Sequence, residues 1–354
     1  MLLQELSEAR GVSGNEGPVR ELIQTAIADH VDGIHVDALG NLICHKHAVG
    51  IKSGAPLRVM VAAHMDEIGL MITAINTDGT LSFGQVGGID DRILLSKRVL
   101  VGDQAVPGVI GTRPIHLVPR TERNRVVDIR ELAIDIGAKD KARAQDLVKE
   151  GDYVSFLTHF EVLTEDGLRT VKGKAFDDRA GCAILVELLK NPLPIDLYAA
   201  FTTQEEVGLR GARVAAYAIE PDVAFALEGT ICDDLPKDRD ESPVTEVGRG
   251  PAITLMDRSF IADRRLVKLL VDAAERLDIP YQFKKAAAGG TDAGAIHLVR
   301  QGVPSVAVAV PTRYIHAPVS LLSLRDLEQT IALMRATLQA LPDKKGWQSL
   351  SPEE

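Results

Sequence analysis

Between residues 180 and 341 the chain alternates segments of helical and strand character, and that alternation restricts the possible folds more than any other feature. Helical patterns are read over 180–189, 208–218, 264–277, 292–299 and 323–341, with short apolar strand runs over 196–202, 223–227, 281–283 and 305–310 between them. Such alternation predicts an α/β sheet with helices on both faces. The N-terminal part joins it. Helices are expected over 2–9 and 18–30, a strand–turn–strand over 36–42, and a buried strand over 57–63 that ends on His64.

From Gly69 the character changes. Apolar runs at 70–75, 81–83, 98–102, 108–111 and 153–156 are short and broken by Gly, Asp and Pro, the pattern of a small β-barrel or sandwich, with a helix expected over 138–150. This predicts an inserted β-rich domain over 70–163 inside an α/β domain built from 1–69 and 164–354. The tail after Pro342 is polar and is expected to fray.

A formal net charge of -10 argues against a nucleic-acid partner, which would need clustered Lys and Arg. No stretch approaches the ~20 apolar residues of a membrane helix, so no membrane partner is expected. The three cysteines, Cys44, Cys182 and Cys232, are odd in number and far apart, which speaks against a disulfide framework and for a cytoplasmic location. Cys44-His45-Lys46-His47 invites a metal-site reading, but consecutive residues on a strand point to opposite faces and converge poorly. A buried Cys44 with exposed histidines is the expectation there.

Chemistry concentrates in five short segments at strand ends and in the loops after them, where open α/β sheets bind ligands. His64 and Asp66 share one face of an extended chain, so Asp66 is placed to orient the imidazole for metal binding. Asp177-Asp178 precedes a helix, where a carboxylate can bridge two metals or simply cap the helix. Glu205-Glu206 follows an apolar strand; adjacent acids on a loop point apart, so one can ligate while the other serves as a base. Glu228 is read as ending the strand begun at Val223, and His316 lies near the C-terminus. Each signal alone has an ordinary structural explanation; five of them at one end of one sheet point to a two-metal hydrolytic site.

In this order the segments resemble the M42 family of metallo-aminopeptidases, which includes the glutamyl and tetrahedral aminopeptidases. The matching stretches are Ala62-Ala63-His64-Met65-Asp66-Glu67-Ile68-Gly69, Ala175-Phe176-Asp177-Asp178-Arg179-Ala180-Gly181 and Thr203-Gln204-Glu205-Glu206-Val207-Gly208, with Gly289-Gly290-Thr291-Asp292-Ala293-Gly294 and Ile315-His316-Ala317-Pro318. The resemblance implies an α/β catalytic domain of the zinc-exopeptidase type, a mixed sheet flanked by helices, with an inserted β-barrel domain used in oligomerisation. It implies two divalent metal ions, zinc or cobalt first and manganese next. His64, Asp177, Glu206, Glu228 and His316 would be the ligands, with Asp177 bridging and its link to Asp178 cis. Glu205 would be the general base and acid toward a water held by the metals, and Asp66 would orient His64. Which ligand serves which metal stays open. Glu228 stands where the family often has Asp.

The implied activity is removal of N-terminal residues from short peptides, and the implied assembly is dimers that build a dodecamer. A different dimetal hydrolase, a deacylase or a carboxypeptidase-like enzyme, is the alternative. A glycosidase is disfavoured because its carboxylate pair needs no dimetal centre. A non-catalytic binding protein is disfavoured because no ligand position and no base is missing from the motifs.

Overall fold

The computed structural model describes residues 1–51, 54–235, 244–285 and 289–351. Among these, eleven strands form one mixed sheet flanked by helices, and six more close a separate β-barrel. The expected α/β architecture with a barrel is the observed one.

At the centre of the large sheet, four neighbouring strands run parallel in the order Asp196–Thr202, Arg58–His64, Val223–Cys232 and Ser305–Arg313. Their residues are almost continuously buried, as expected for parallel strands covered on both faces. Alternate residues serve two different cores. Val59, Val61 and Ala63 pack with the helices Leu2–Glu8, Gly17–Ile27, Phe176–Leu189 and Leu324–Ala340. Met60 and Ala62 pack on the other face with Ala212, Ala215 and Ala216 of Arg210–Ile219 and Ile296 of Asp292–Ile296. Small alanines on that side let the helix lie close to the sheet, which suits a chain with only 4% aromatic residues.

The barrel strands are Gly69–Ile75, Leu81–Val86, Arg98–Val101, Val106–Gly111, Ala133–Asp135 and Tyr153–Phe156. Inward residues such as Leu70, Ile72, Leu81, Val99, Ile110 and Val154 fill its own core. Glu161–Val162 follows the barrel and pairs with Thr170–Gly173 of the large sheet. The helix expected over 138–150 is only Lys141–Gln145, started by Asp140, whose carboxylate accepts the Arg143 amide at 2.9 Å. Five strands escaped sequence reading, Ala133–Asp135, Glu161–Val162, Thr170–Gly173, Ala252–Thr254 and Ser320–Ser323, because two to four residues are too few for a periodic signal.

The C-terminal tail does not fray as expected. Lys344–Ser349 is a helix capped by Asp343, Trp347 is buried, and the Arg265 guanidinium lies 4.3 Å from the Trp347 ring centroid. One aromatic anchor outweighs the polar composition around it. Among the described residues no helix is long and apolar enough to cross a membrane.

Candidate metal centre

The four parallel strands deliver their chemistry to one end of the sheet. His64 is the last residue of its strand and pairs with Thr202, so the loop after Thr202 carries Glu205 and Glu206 past it. Glu228 does not end its strand, as the sequence suggested, but lies inside Val223–Cys232. The apolar run stops at Leu227, yet the ladder continues, with Glu228 opposite Ala309 and Cys232 opposite Arg313. Ala226 pairs with Ala62, so the strand carries Glu228 level with His64. His316 sits in the connection between Ser305–Arg313 and Ser320–Ser323, at φ 54°.

Asp177 reaches the cluster from the first turn of Phe176–Leu189, where its backbone and that of Asp178 leave helical geometry. The link between the two is cis, as the resemblance implied. Gly229 makes the approach possible: a Cβ there would lie 2.9 Å from the Asp177 Cα, closer than packed side chains come. Asp178 turns away from the cluster. Its carboxylate accepts the His64 amide at 3.1 Å and the Gly181 amide at 2.8 Å, tying the helix start to the strand end.

The ligand atoms fall into two sets around Asp177. His64 Nε2 lies 3.3 Å from Asp177 Oδ1 and 3.7 Å from Glu228 Oε2. His316 Nε2 lies 3.8 Å from Asp177 Oδ2 and 3.6 Å from Glu206 Oε2. Each set, His64–Asp177–Glu228 and Asp177–Glu206–His316, is gathered closely enough to hold one metal ion. Both imidazoles are oriented for it. His64 Nδ1 faces the Asp66 backbone oxygen at 3.1 Å, and His316 Nδ1 faces the Gly88 oxygen at 2.9 Å. In the neutral form that a metal ligand needs, a ring proton on Nδ1 would go to the carbonyl and the Nε2 lone pair would face Asp177.

The electrostatics ask for cations. Burial, reinforced by neighbouring carboxylates, pushes Glu205, Glu206 and Glu228 well above the usual carboxylate range. Burial opposes a charge on His64, yet hydrogen bonding to Asp177 and Asp66 carries its pKa well above the ordinary value. The cluster therefore holds protons where divalent ions would relieve the same repulsion. The residues present fit a pair of metal ions.

Asp66 does more than the sequence assigned to it. Its Oδ1 lies 3.5 Å from His64 Nδ1, farther than its own backbone oxygen. The carboxylate also accepts the Glu205 amide at 3.0 Å, the Glu206 amide at 3.1 Å and the Ser13 hydroxyl at 2.6 Å. Burial works against its charge, but His64 and these donors hold Asp66 below the usual carboxylate range. Glu205 belongs to neither metal-holding set, but lines the same cavity of about 590 Å³ as His64, Asp177 and Glu206. Gly289, Gly290 and Thr291 line it too, and the Asp292 amide donates to Glu228 Oε1 at 3.2 Å. Sequence reading missed Ser13 and Gly88. A lone serine and a backbone carbonyl carry no motif. The barrel side of the chain thus contributes through Gly88 to the orientation of His316.

The M42 glutamyl aminopeptidase family model matches residues 40–333. The lysyl aminopeptidase of Pyrococcus furiosus is 33% identical over 348 residues, 96% of each chain. Among solved structures, the TET aminopeptidase of Thaumarchaeota archaeon SCGC AB-539-E09 superposes with a TM-score of 0.91 at 36% identity, covering 96% of each chain. The TET1 peptidase of Pyrococcus horikoshii, which can assemble into a tetrahedron or a large octahedral shell, superposes with a TM-score of 0.83 at 38% identity, covering 96% of this chain and 98% of the other.

Proposed function

Because the chain belongs to the M42 glutamyl aminopeptidase family of peptide-bond hydrolases, we propose that it is a dimetal aminopeptidase that removes N-terminal residues from short peptides. The observation that carries this reading is the pair of three-residue sets sharing Asp177, with Glu205 outside both in the same cavity. His64 and Glu228 would hold one ion and Glu206 and His316 the other, with Asp177 shared between the two sets, one oxygen facing each. Zinc or cobalt suits this mixed imidazole and carboxylate set, with manganese next. When bound, the ions supply Lewis-acid polarisation of the scissile carbonyl and lower the pKa of a water.

The rest is done by the chain. Glu205 takes a proton from the attacking water at its carboxylate and passes it to the leaving amine nitrogen. Asp66 holds the Glu205 and Glu206 amides and backs His64, so base and ligand keep a fixed separation. Gly289, Gly290 and Thr291 form a wall along which an extended peptide can lie.

A panel of aminoacyl-p-nitroanilides, each with a free and an acetylated amine, tests the reading on metal-stripped protein with Zn, Co, Mn or Mg restored. Turnover should depend on the metal and on the free amine. Release of acetate from the blocked compounds in place of nitroaniline from the free ones would favour the deacylase alternative, and undiminished turnover after stripping would end the dimetal reading.

The inserted domain, 70–163, is assigned to self-association. Ile115, Leu117 and Val126 between its strands are more than half exposed, apolar surface that a solitary protein has little reason to present. The tetrahedral and octahedral assemblies of the horikoshii relative supply the precedent. Dimers joined into a dodecamer would enclose the sites and admit short peptides only. Light scattering should return a mass many times the 38.2 kDa of one chain, and Leu117→Asp should lower it. A fully active monomer would refute the assignment.

A further inference from the structure

A second cluster of metal-ligating side chains lies at the opposite end of the sheet. The strand Leu42–Lys46 runs antiparallel to Asp196–Thr202, with His45 opposite Tyr198 and Lys46 opposite Leu197. His45 and His47 are two residues apart and so share a face. The residues between and before them point elsewhere: Cys44 is fully buried in the core, and Lys46 Nζ donates to the carbonyls of His30 and Leu189. Neighbours in this segment point to opposite faces, whereas the two histidines point to the same one. Asp196, the first residue of the adjoining strand, completes the group, with Oδ1 at 3.9 Å from His45 Nε2 and 3.9 Å from His47 Nδ1.

We propose that His45, His47 and Asp196 form a divalent-metal site separate from the candidate dimetal centre, taking zinc or another late first-row ion. The three ligand atoms are gathered within 4.8 Å of one another. Donors sharing one ion at bonds of about 2.0–2.2 Å lie roughly 3.3–4 Å apart, so the observed 3.9 Å separations need only small side-chain movements. As hydrogen bonds the same separations are too long. His45 Nε2 is shielded from solvent with no hydrogen-bond partner, an expense that a metal bond would remove. The His45 ring is held by stacking on Tyr198, with centroids 4.4 Å apart and planes 18° from parallel. The charges facing the group are Asp32, whose carboxylate accepts the His47 amide at 2.7 Å, and Arg58, whose guanidinium donates to the Ile219 and Glu220 carbonyls.

The six-residue rise from Asp196 to Thr202 puts about 20 Å between this group and the hydrolytic cluster. An ion here would tie the segment after Leu42–Lys46 to the start of Asp196–Thr202, and the largely exposed His47 leaves its outer side to water. The role is structural rather than hydrolytic.

Zinc titration followed by calorimetry and by metal analysis after dialysis tests this on full-length wild type, His47→Ala and Asp196→Asn. His47 is exposed, and asparagine keeps an oxygen for the Ala48 amide, so both variants should fold. Wild type should retain one more zinc ion per chain than either variant. The variants should bind at this position more weakly by over ~10²-fold, exceeding the loss seen when a group behind a ligand is removed. Peptidase turnover should be unchanged, which separates this site from the hydrolytic one. Equal zinc content in all three proteins, or loss of turnover together with the ion, would overturn the proposal. Because the readout is a difference, it holds whatever number of ions the hydrolytic centre takes.

Discussion

Replacing Glu205 with glutamine is expected to cut kcat by ~10²–10⁴-fold, the usual contribution of a positioned base, while the metal content stays that of the wild type. Glu205 stands outside both three-residue sets but lines the same cavity, and its amide is fixed by Asp66. Glutamine preserves shape and burial and cannot take a proton. Glu206→Gln is the control. Its Oε2 lies 3.6 Å from His316 Nε2 within one set, so that variant should lose metal as well as turnover. The division between adjacent acids is thus read from two measurements, kcat and bound metal per chain. Metal loss in Glu205→Gln, or near-normal turnover, would reverse the assignment of base and ligand.

Part of the candidate site was legible in the sequence because His64 and the Glu205–Glu206 pair travel with strand ends. His64 and Glu206 announced themselves as polar groups breaking apolar runs, and both reached the cluster. Glu228 was legible as a residue and misjudged in position. A carboxylate inside a buried strand breaks the periodic signal, though the backbone ladder continues through it. The division of the candidate ligands into two sets was not legible, since it depends on which oxygen of Asp177 faces which imidazole. The same limit hid Gly88, whose carbonyl orients His316 across 228 residues of chain. Long apolar segments revealed the large sheet, while three-residue strands and the packed C-terminal helix depended on contacts distant in sequence. His45 and His47 show the converse: the spacing was visible, but Asp196 lies 149 residues beyond His47 and is brought beside it by the sheet.

Beneath the candidate metal centre, Glu67→Gln is expected to lower stability by ~3–5 kcal/mol, the cost of removing one partner from a buried ion pair. Glu67 is 2% exposed. Both its oxygens accept from Lys174 Nζ at 2.7 Å, one also accepts the Gly11 amide at 3.0 Å, and Arg179 Nη2 lies 3.7 Å away. Arg179 itself is fully buried and donates through Nε to the Met65 carbonyl, next to His64. One acid therefore serves two buried cations. Glu67→Gln leaves both uncompensated, whereas Lys174→Met leaves a balanced Glu67–Arg179 pair and should cost clearly less in urea unfolding. The pH dependence has a definite sign. Burial, opposed by Glu67 and aided by Arg179, brings Lys174 down to about 8 from 10.5. Between those values the unfolded chain binds more protons than the folded one, so this residue's contribution to stability rises with pH. The stability of wild type relative to Lys174→Met should therefore grow as pH passes through 8 toward 10.5. A flat or falling difference, or a Lys174→Met cost equal to that of Glu67→Gln, would show that the charges beneath the site are not arranged as one acid between two cations.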